Sequence, residues 1–78
     1  MSDWREQDGQ LVKELRFDDF KAAIAYVNRV ADAAEAANHH PDILVHGWNN
    51  VRLSLFTHSE GAITDADRKM ADTIDGLA

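Results

Sequence analysis

The sequence predicts an α+β domain: a four-stranded antiparallel sheet with α-helices packed on one face. Three observations lead there. Two strand-like runs flank Asp8-Gly9, a long alanine-rich segment follows, and two more strand-like runs precede a short amphipathic stretch. The order strand, strand, helix, strand, strand, helix is most economically built as one sheet covered on one side. At 78 residues the chain is short, so residues 1–78 are expected to form a single domain.

The elements follow in order. Trp4 to Gln7 reads as a short strand, and Asp8-Gly9 suits the tight turn of a hairpin. In Leu11 to Phe17, Leu11, Leu15 and Phe17 share one parity and Lys13 breaks it. Asp18 or Asp19 can cap the next helix. Its apolar positions Phe20, Ala23, Ile24, Val27, Val30, Ala31 and Ala34 recur at helical spacing, which predicts one buried stripe. The helix is expected to end near Asn38, because Pro41 lacks an N–H and biases His40 away from helical geometry. Ile43 to Trp48 is a strand candidate, with a turn at Gly47 or Asn49-Asn50. Val51 to Thr57 alternates most cleanly, with Val51, Leu53 and Leu55 facing one way and Arg52, Ser54 and Phe56 the other. Ser59 to Ala62 is a loop. Thr64 caps the last helix with Asp67 in capping-box position, and Ile63, Met70, Ala71, Ile74 and Leu77 form its apolar stripe.

Composition limits the function. Hydrophobic residues make up 45% and charged ones 28%, which suits a folded chain rather than a disordered one. A net charge of −6 argues against a nucleic-acid partner, whose footprint would be basic. The chain has no cysteine, hence no disulfide and no thiolate metal site. No apolar run is long enough to span a membrane. Met1-Ser2-Asp3-Trp4-Arg5 lacks the apolar region of a signal peptide, so a cytoplasmic location is expected. Small domains without covalent staples often gain stability by oligomerising. A one-sided sheet with an outward Phe56 points to a homodimer or homotetramer.

Two imidazoles, His39 and His40, stand together at a helix-to-strand corner, and His58 ends a later strand. Histidine is the side chain best poised to exchange a proton near neutrality. Three of them fit acid–base chemistry without a metal or cofactor. A zinc site completed by His58, Glu35 or Asp67 is the alternative, but no recognised zinc spacing is present. Loop histidines that merely cap or face solvent are the bland reading. Glu35 lies one turn before His39 and can approach it while the helix lasts. Asp67 can orient an imidazole, although an aspartate in a first helical turn is stabilised there without any such duty. Trp48 can stack on a flat ring, although a strand tryptophan more often belongs to a core.

Taken together, Glu35-x-x-x-His39-His40-Pro41, Trp48, Thr57-His58 and Asp67 resemble the pterin-4a-carbinolamine dehydratase family. Phe17-x-x-Phe20, Asn50-Val51 and Gly61-Ala62-Ile63-Thr64-x-x-Asp67 extend the likeness from about Trp4 to Leu77. Two departures stand out: many members carry a further helix before the position of Trp4, and Ala62 stands where a second glycine is common. The resemblance implies the four-stranded sheet described above. It also implies dehydration of 4a-hydroxytetrahydropterin to quinonoid dihydropterin, with the pterin as substrate and no separate cofactor. His39, His40 and His58 would be the catalytic histidines, and Glu35, Pro41, Trp48, Thr57 and Asp67 would line or support the pocket. A functional link to an aromatic amino acid hydroxylase follows from the same likeness. The alternative is a non-catalytic binding or assembly module that keeps the fold.

Overall fold

The computed structural model describes residues 3–77; Met1 and Ser2 of the N-terminal stretch read above lie outside them. The elements are β1 (Arg5–Gln7), β2 (Gln10–Arg16), α1 (Phe20–Ala37), β3 (Asp42–His46), β4 (Asn50–Leu55) and α2 (Asp65–Asp75). The four strands form one antiparallel sheet in the order β1-β2-β4-β3. Both helices pack on the same core, so the expected fold class is the one observed. Among the described residues, no helix is long and apolar enough to cross a membrane.

Local chemistry explains where each element starts and stops. Asp8 and Gly9 both take positive φ, 53° and 77°, as a two-residue turn matched to strand twist requires. Of the two candidate caps, Asp19 is the one used: its Oδ1 accepts the N–H of Ala22 at 2.7 Å. The stop of α1 is made by Asn38, which turns left-handed at φ 51°. The Asn38 N–H then reaches the Glu35 carbonyl at 3.2 Å and the His39 N–H reaches that of Ala34 at 3.1 Å. These two bonds satisfy carbonyls that the helix end would otherwise orphan. Pro41 only keeps the chain from resuming the helix.

The core lies between the inner face of the sheet and the two helices. Val51, Leu53 and Leu55 of β4 are fully buried, as their alternation predicts. They meet Ala23, Tyr26, Val30 and Ala34 of α1 and Met70, Ala71 and Ile74 of α2. Lys13 follows its strand parity inward and is buried, with its Nζ 2.6 Å from Asp75 Oδ1.

Three expectations need correction. The buried stripe of α1 runs through Tyr26, while Phe20 is 53% exposed and Ala31 faces solvent. Apolar residues occupy more than one face of this helix, so periodicity alone does not set the phase. Trp48 is neither in a strand nor in the core. It sits in the β3–β4 turn with φ 58° and is 61% exposed. Phe56 is half-buried, tilted at 53° against the His58 ring with centroids 4.3 Å apart, so it is not the open aromatic expected on the outer face. The large hydrophobic side chains left exposed among the described residues are Phe20, Leu44 and Trp48.

Candidate active site

The helix stop places the two adjacent histidines differently. His39, half-buried, turns back towards α2, and its Nε2 lies 2.5 Å from Oδ1 of Asp67. His40 stays in solvent and meets Glu35, with Nε2 2.5 Å from Oε2. Glu35 therefore serves His40 rather than His39, the partner expected from helical spacing.

Asp67 is the hub of the site. It is completely buried in the first turn of α2. Its Oδ2 accepts the Thr64 N–H at 2.9 Å and the Thr57 hydroxyl at 2.9 Å. The Thr57 and Thr64 hydroxyls are themselves 2.6 Å apart. Burial pushes the Asp67 carboxyl up, but the hydrogen bonds from His39, Thr64 and Thr57 outweigh it and hold the group below the usual carboxylate range. Asp67 is thus an ionised acceptor. Its partner His39 must carry a proton on Nε2, which leaves Nδ1 as the nitrogen open to other groups. The His40 Nε2 faces the Glu35 carboxylate, which leaves its Nδ1 open as well.

Thr57 links this network to the third histidine. It sits just beyond β4, where its N–H bonds to the Ala62 carbonyl at 2.9 Å and its own carbonyl accepts from Gly61 at 2.8 Å. That tight turn, with Gly61 at φ 63°, presents His58 at the surface beside Phe56. No hydrogen bond or ion pair joins His58 to His39 or His40 among the described residues. A cleft of 350 Å³ reaches His39 and is lined by Ala37, Ala66, Lys69, Met70 and Thr73 as well. Of these lining residues His39 is the one that reads as a site residue in the sequence; Met70 reads as core, and nothing in spacing marks Ala37, Ala66, Lys69 and Thr73 as neighbours of a site.

Pro41 and Trp48 are held apart by β3. Pro41 immediately precedes the strand and Gly47-Trp48 immediately follows it. Four rises of about 3.3 Å put the two ends of the strand about 13 Å apart. Within one chain, Trp48 therefore stands at the far end of β3 from His39 and His40. No three His, Asp or Glu side chains are grouped to hold a metal ion among the described residues.

A four-stranded antiparallel sheet backed by two helices, with a buried aspartate bonded to a half-buried histidine at its helix-to-strand corner, defines a small α+β domain. Residues 1–77 match the family model described as pterin 4 alpha carbinolamine dehydratase, and the chain belongs to that family. Among relatives carrying the family's name, one from Metallosphaera sedula is 43% identical over 77 residues, 99% of this chain and 79% of its own length. Another, from Gloeobacter violaceus, is 52% identical over 75 residues, covering 91% of this chain and 80% of its own. A crystal structure described as a transcriptional coactivator/pterin dehydratase from Brucella melitensis superposes with a TM-score of 0.88 at 32% identity. The match covers 96% of this chain and 81% of that one. A pterin dehydratase-like protein described as a RuBisCO assembly factor in the alpha-carboxysome has a TM-score of 0.81 at 28% identity, covering 100% and 90%.

Proposed function

We propose that the protein dehydrates a 4a-hydroxytetrahydropterin by histidine acid–base catalysis. The observation that carries this reading is the buried Asp67 holding His39 at 2.5 Å, in a chain that belongs to the dehydratase family. In the reaction the C4a–O bond breaks and the hydroxyl leaves as water after taking a proton. The N5–H bond gives its proton to a base, and its electron pair forms the N5=C4a double bond of the quinonoid dihydropterin. One protonated and one neutral imidazole suffice for both transfers. His39, His40 and His58 supply them, with Nδ1 the available nitrogen on the first two. Thr57 and Asp67 orient His39, Glu35 orients His40, and Pro41 shapes the corner. The pterin is the substrate, no separate cofactor is required, and the product suits recycling beside an aromatic amino acid hydroxylase in the cytoplasm.

The test is direct. Generated 4a-carbinolamine should lose water faster in the presence of the protein, read by the absorbance of the quinonoid product. The acceleration should survive exhaustive chelation, since the Nε2 atoms of His39 and His40 are each engaged by a separate carboxylate. Activity that disappears with chelator and returns with zinc would favour the metal reading.

The assembly-factor relative supports a second reading, a non-catalytic assembly module on the same fold. A protein that leaves the carbinolamine lifetime unchanged, while folded and binding no pterin, would overturn the enzyme reading and favour that alternative.

A further inference from the structure

The cleft that reaches His39 runs along α2. Its α2 wall is Ala66, Lys69, Met70 and Thr73, which recur at i, i+3, i+4 and i+7 and so share one face of the helix. Asp67, the neighbour of Ala66, holds the His39 ring and fixes the histidine end of this wall. At about 1.5 Å per residue, Lys69 stands about 4.5 Å beyond Ala66 along the axis, and Thr73 about 10.5 Å. Ala37, Ala66 and the buried Met70 make the lining largely small and apolar. The Thr73 hydroxyl is already donated to the Lys69 carbonyl at 3.1 Å. Lys69 is the only lysine or arginine on the cleft, and among the described residues its ammonium is in no hydrogen bond or ion pair. Asp72, one turn further on, lines a different cleft with Trp4 and Arg68.

We propose that this cleft receives the C6 substituent of the pterin, and that Lys69 selects carbinolamines whose substituent ends in an anionic group, a phosphate monoester or a carboxylate. The proposal rests on reading His39 as part of the pterin site. C6 is bonded to N5, the atom that loses its proton in the dehydration. A ring placed with N5 and C4a at the histidines therefore starts its C6 substituent beside His39, where the cleft opens. An apolar wall followed by one unpaired cation matches a short carbon arm with a negative charge at its end. A neutral hydroxyl there would gain only the weaker, uncharged hydrogen bond. Lys69 lies away from the reacting atoms, so it binds substrate and transition state alike, and its effect falls on KM rather than on kcat.

The test uses three carbinolamines with the same ring: one with a neutral hydroxyalkyl group at C6, its phosphate monoester, and one whose arm ends in a carboxylate. The wild type should favour an anionic substrate over the neutral one by about five- to tenfold in kcat/KM, between the values for an exposed ion pair and a charge-assisted hydrogen bond. The preference should lie in KM and shrink as salt is raised. The anion with the larger preference is the group the cleft is built for. Lys69→Gln should abolish the preference and Lys69→Arg should keep it. Lys21→Gln removes the same charge about 24 Å from Ala37 along α1, and should keep the wild-type ratio. Each ratio is taken within one protein, so a partly folded variant still reports it. A wild type without preference, or Lys69→Gln with the full preference, overturns the proposal. Loss of the preference in Lys21→Gln overturns it too, because net charge would then be the cause. A wild type that dehydrates the neutral substrate without preference leaves the pterin reading standing. One that accelerates none of the three refutes that reading, and the proposal falls with it.

Discussion

His39 and Asp67, 28 positions apart in sequence, meet through a 2.5 Å contact between Nε2 and the fully buried Oδ1. The contact ties the end of α1 to the first turn of α2. It also sets the imidazole's tautomer, because an ionised acceptor demands a proton on Nε2. An amide in place of the carboxylate would break that requirement. Oδ2 of Asp67 accepts two donors, so an asparagine would keep its oxygen there and turn its NH2 towards His39. His39 would then have to accept at Nε2 and carry its proton on Nδ1. Asp67→Asn should therefore lower dehydration by about 100-fold or more, the size of effect typical of lost acid–base function. Far-UV circular dichroism should stay native and the imidazole nitrogen shifts should report the other tautomer. Wild-type turnover in Asp67→Asn would show that the tautomer does not matter.

The same aspartate makes stability depend on pH. Its folded form releases its proton more readily than an unfolded aspartate, because three hydrogen bonds to the carboxylate outweigh the effect of burial. A depressed carboxyl contributes stability that is complete above the ordinary carboxylate range and is lost as pH falls through the lower folded value. The urea midpoint of the wild type should therefore fall between about pH 5 and pH 2. Asp67→Asn should start less stable and lose less over that interval. Parallel curves for the two proteins would mean that other carboxylates govern acid unfolding.

Lys13 ties the opposite end of the molecule together. Its Nζ reaches Asp75 Oδ1 at 2.6 Å, and the Trp4 indole N–H donates to that same oxygen at 2.9 Å. Lys13→Met keeps most of the aliphatic stem but removes the charge. Because Asp75 keeps the indole, the loss should be about 1–3 kcal/mol, between the values for exposed and buried pairs. Urea denaturation measures it; a stability equal to wild type would show that desolvation of the pair cancels its attraction.

How far the sequence discloses this molecule depends on what each residue's neighbours decide. Strand order and the Asp8-Gly9 hairpin are legible because parity and turn chemistry are local. The phase of α1 is not, since Ile24 and Ala31 extend the apolar residues beyond the buried stripe and Tyr26 carries a hydroxyl that disguises a core position. Trp48 reads as a strand residue only until Gly47 and Trp48 itself turn left-handed. His39, His40, His58 and Asp67 could be singled out from residue type and family likeness. Which carboxylate serves which imidazole could not, because the left-handed turn at Asn38 swings His39 away from Glu35 and towards α2. The separation of Trp48 from the histidines follows from strand register, a relation between distant residues that spacing does not encode.

The exposed pair should behave unlike the buried one. His40 and Glu35 also approach to 2.5 Å, but their side chains are 54% and 78% exposed. Water screens such a pair, which typically contributes only about 0–1 kcal/mol to stability. Glu35→Ala also places a strong helix former near the end of α1. The variant should therefore unfold within about 1 kcal/mol of wild type. Its effect should fall on turnover, because an untethered His40 ring can rotate its Nδ1 away from the substrate. His40→Ala, which removes the proton-transfer group itself, should cost more, about 100-fold to 10,000-fold. Asp32→Asn, on the solvent face of α1 and outside the site, is the matched control for a lost helix charge. Kinetics with a saturating pterin carbinolamine, alongside thermal unfolding of each variant, give both readouts. Glu35→Ala with normal turnover would show that the tether is dispensable. An equal loss of activity in Asp32→Asn would mean that the helix charge, and not the contact with His40, is what matters.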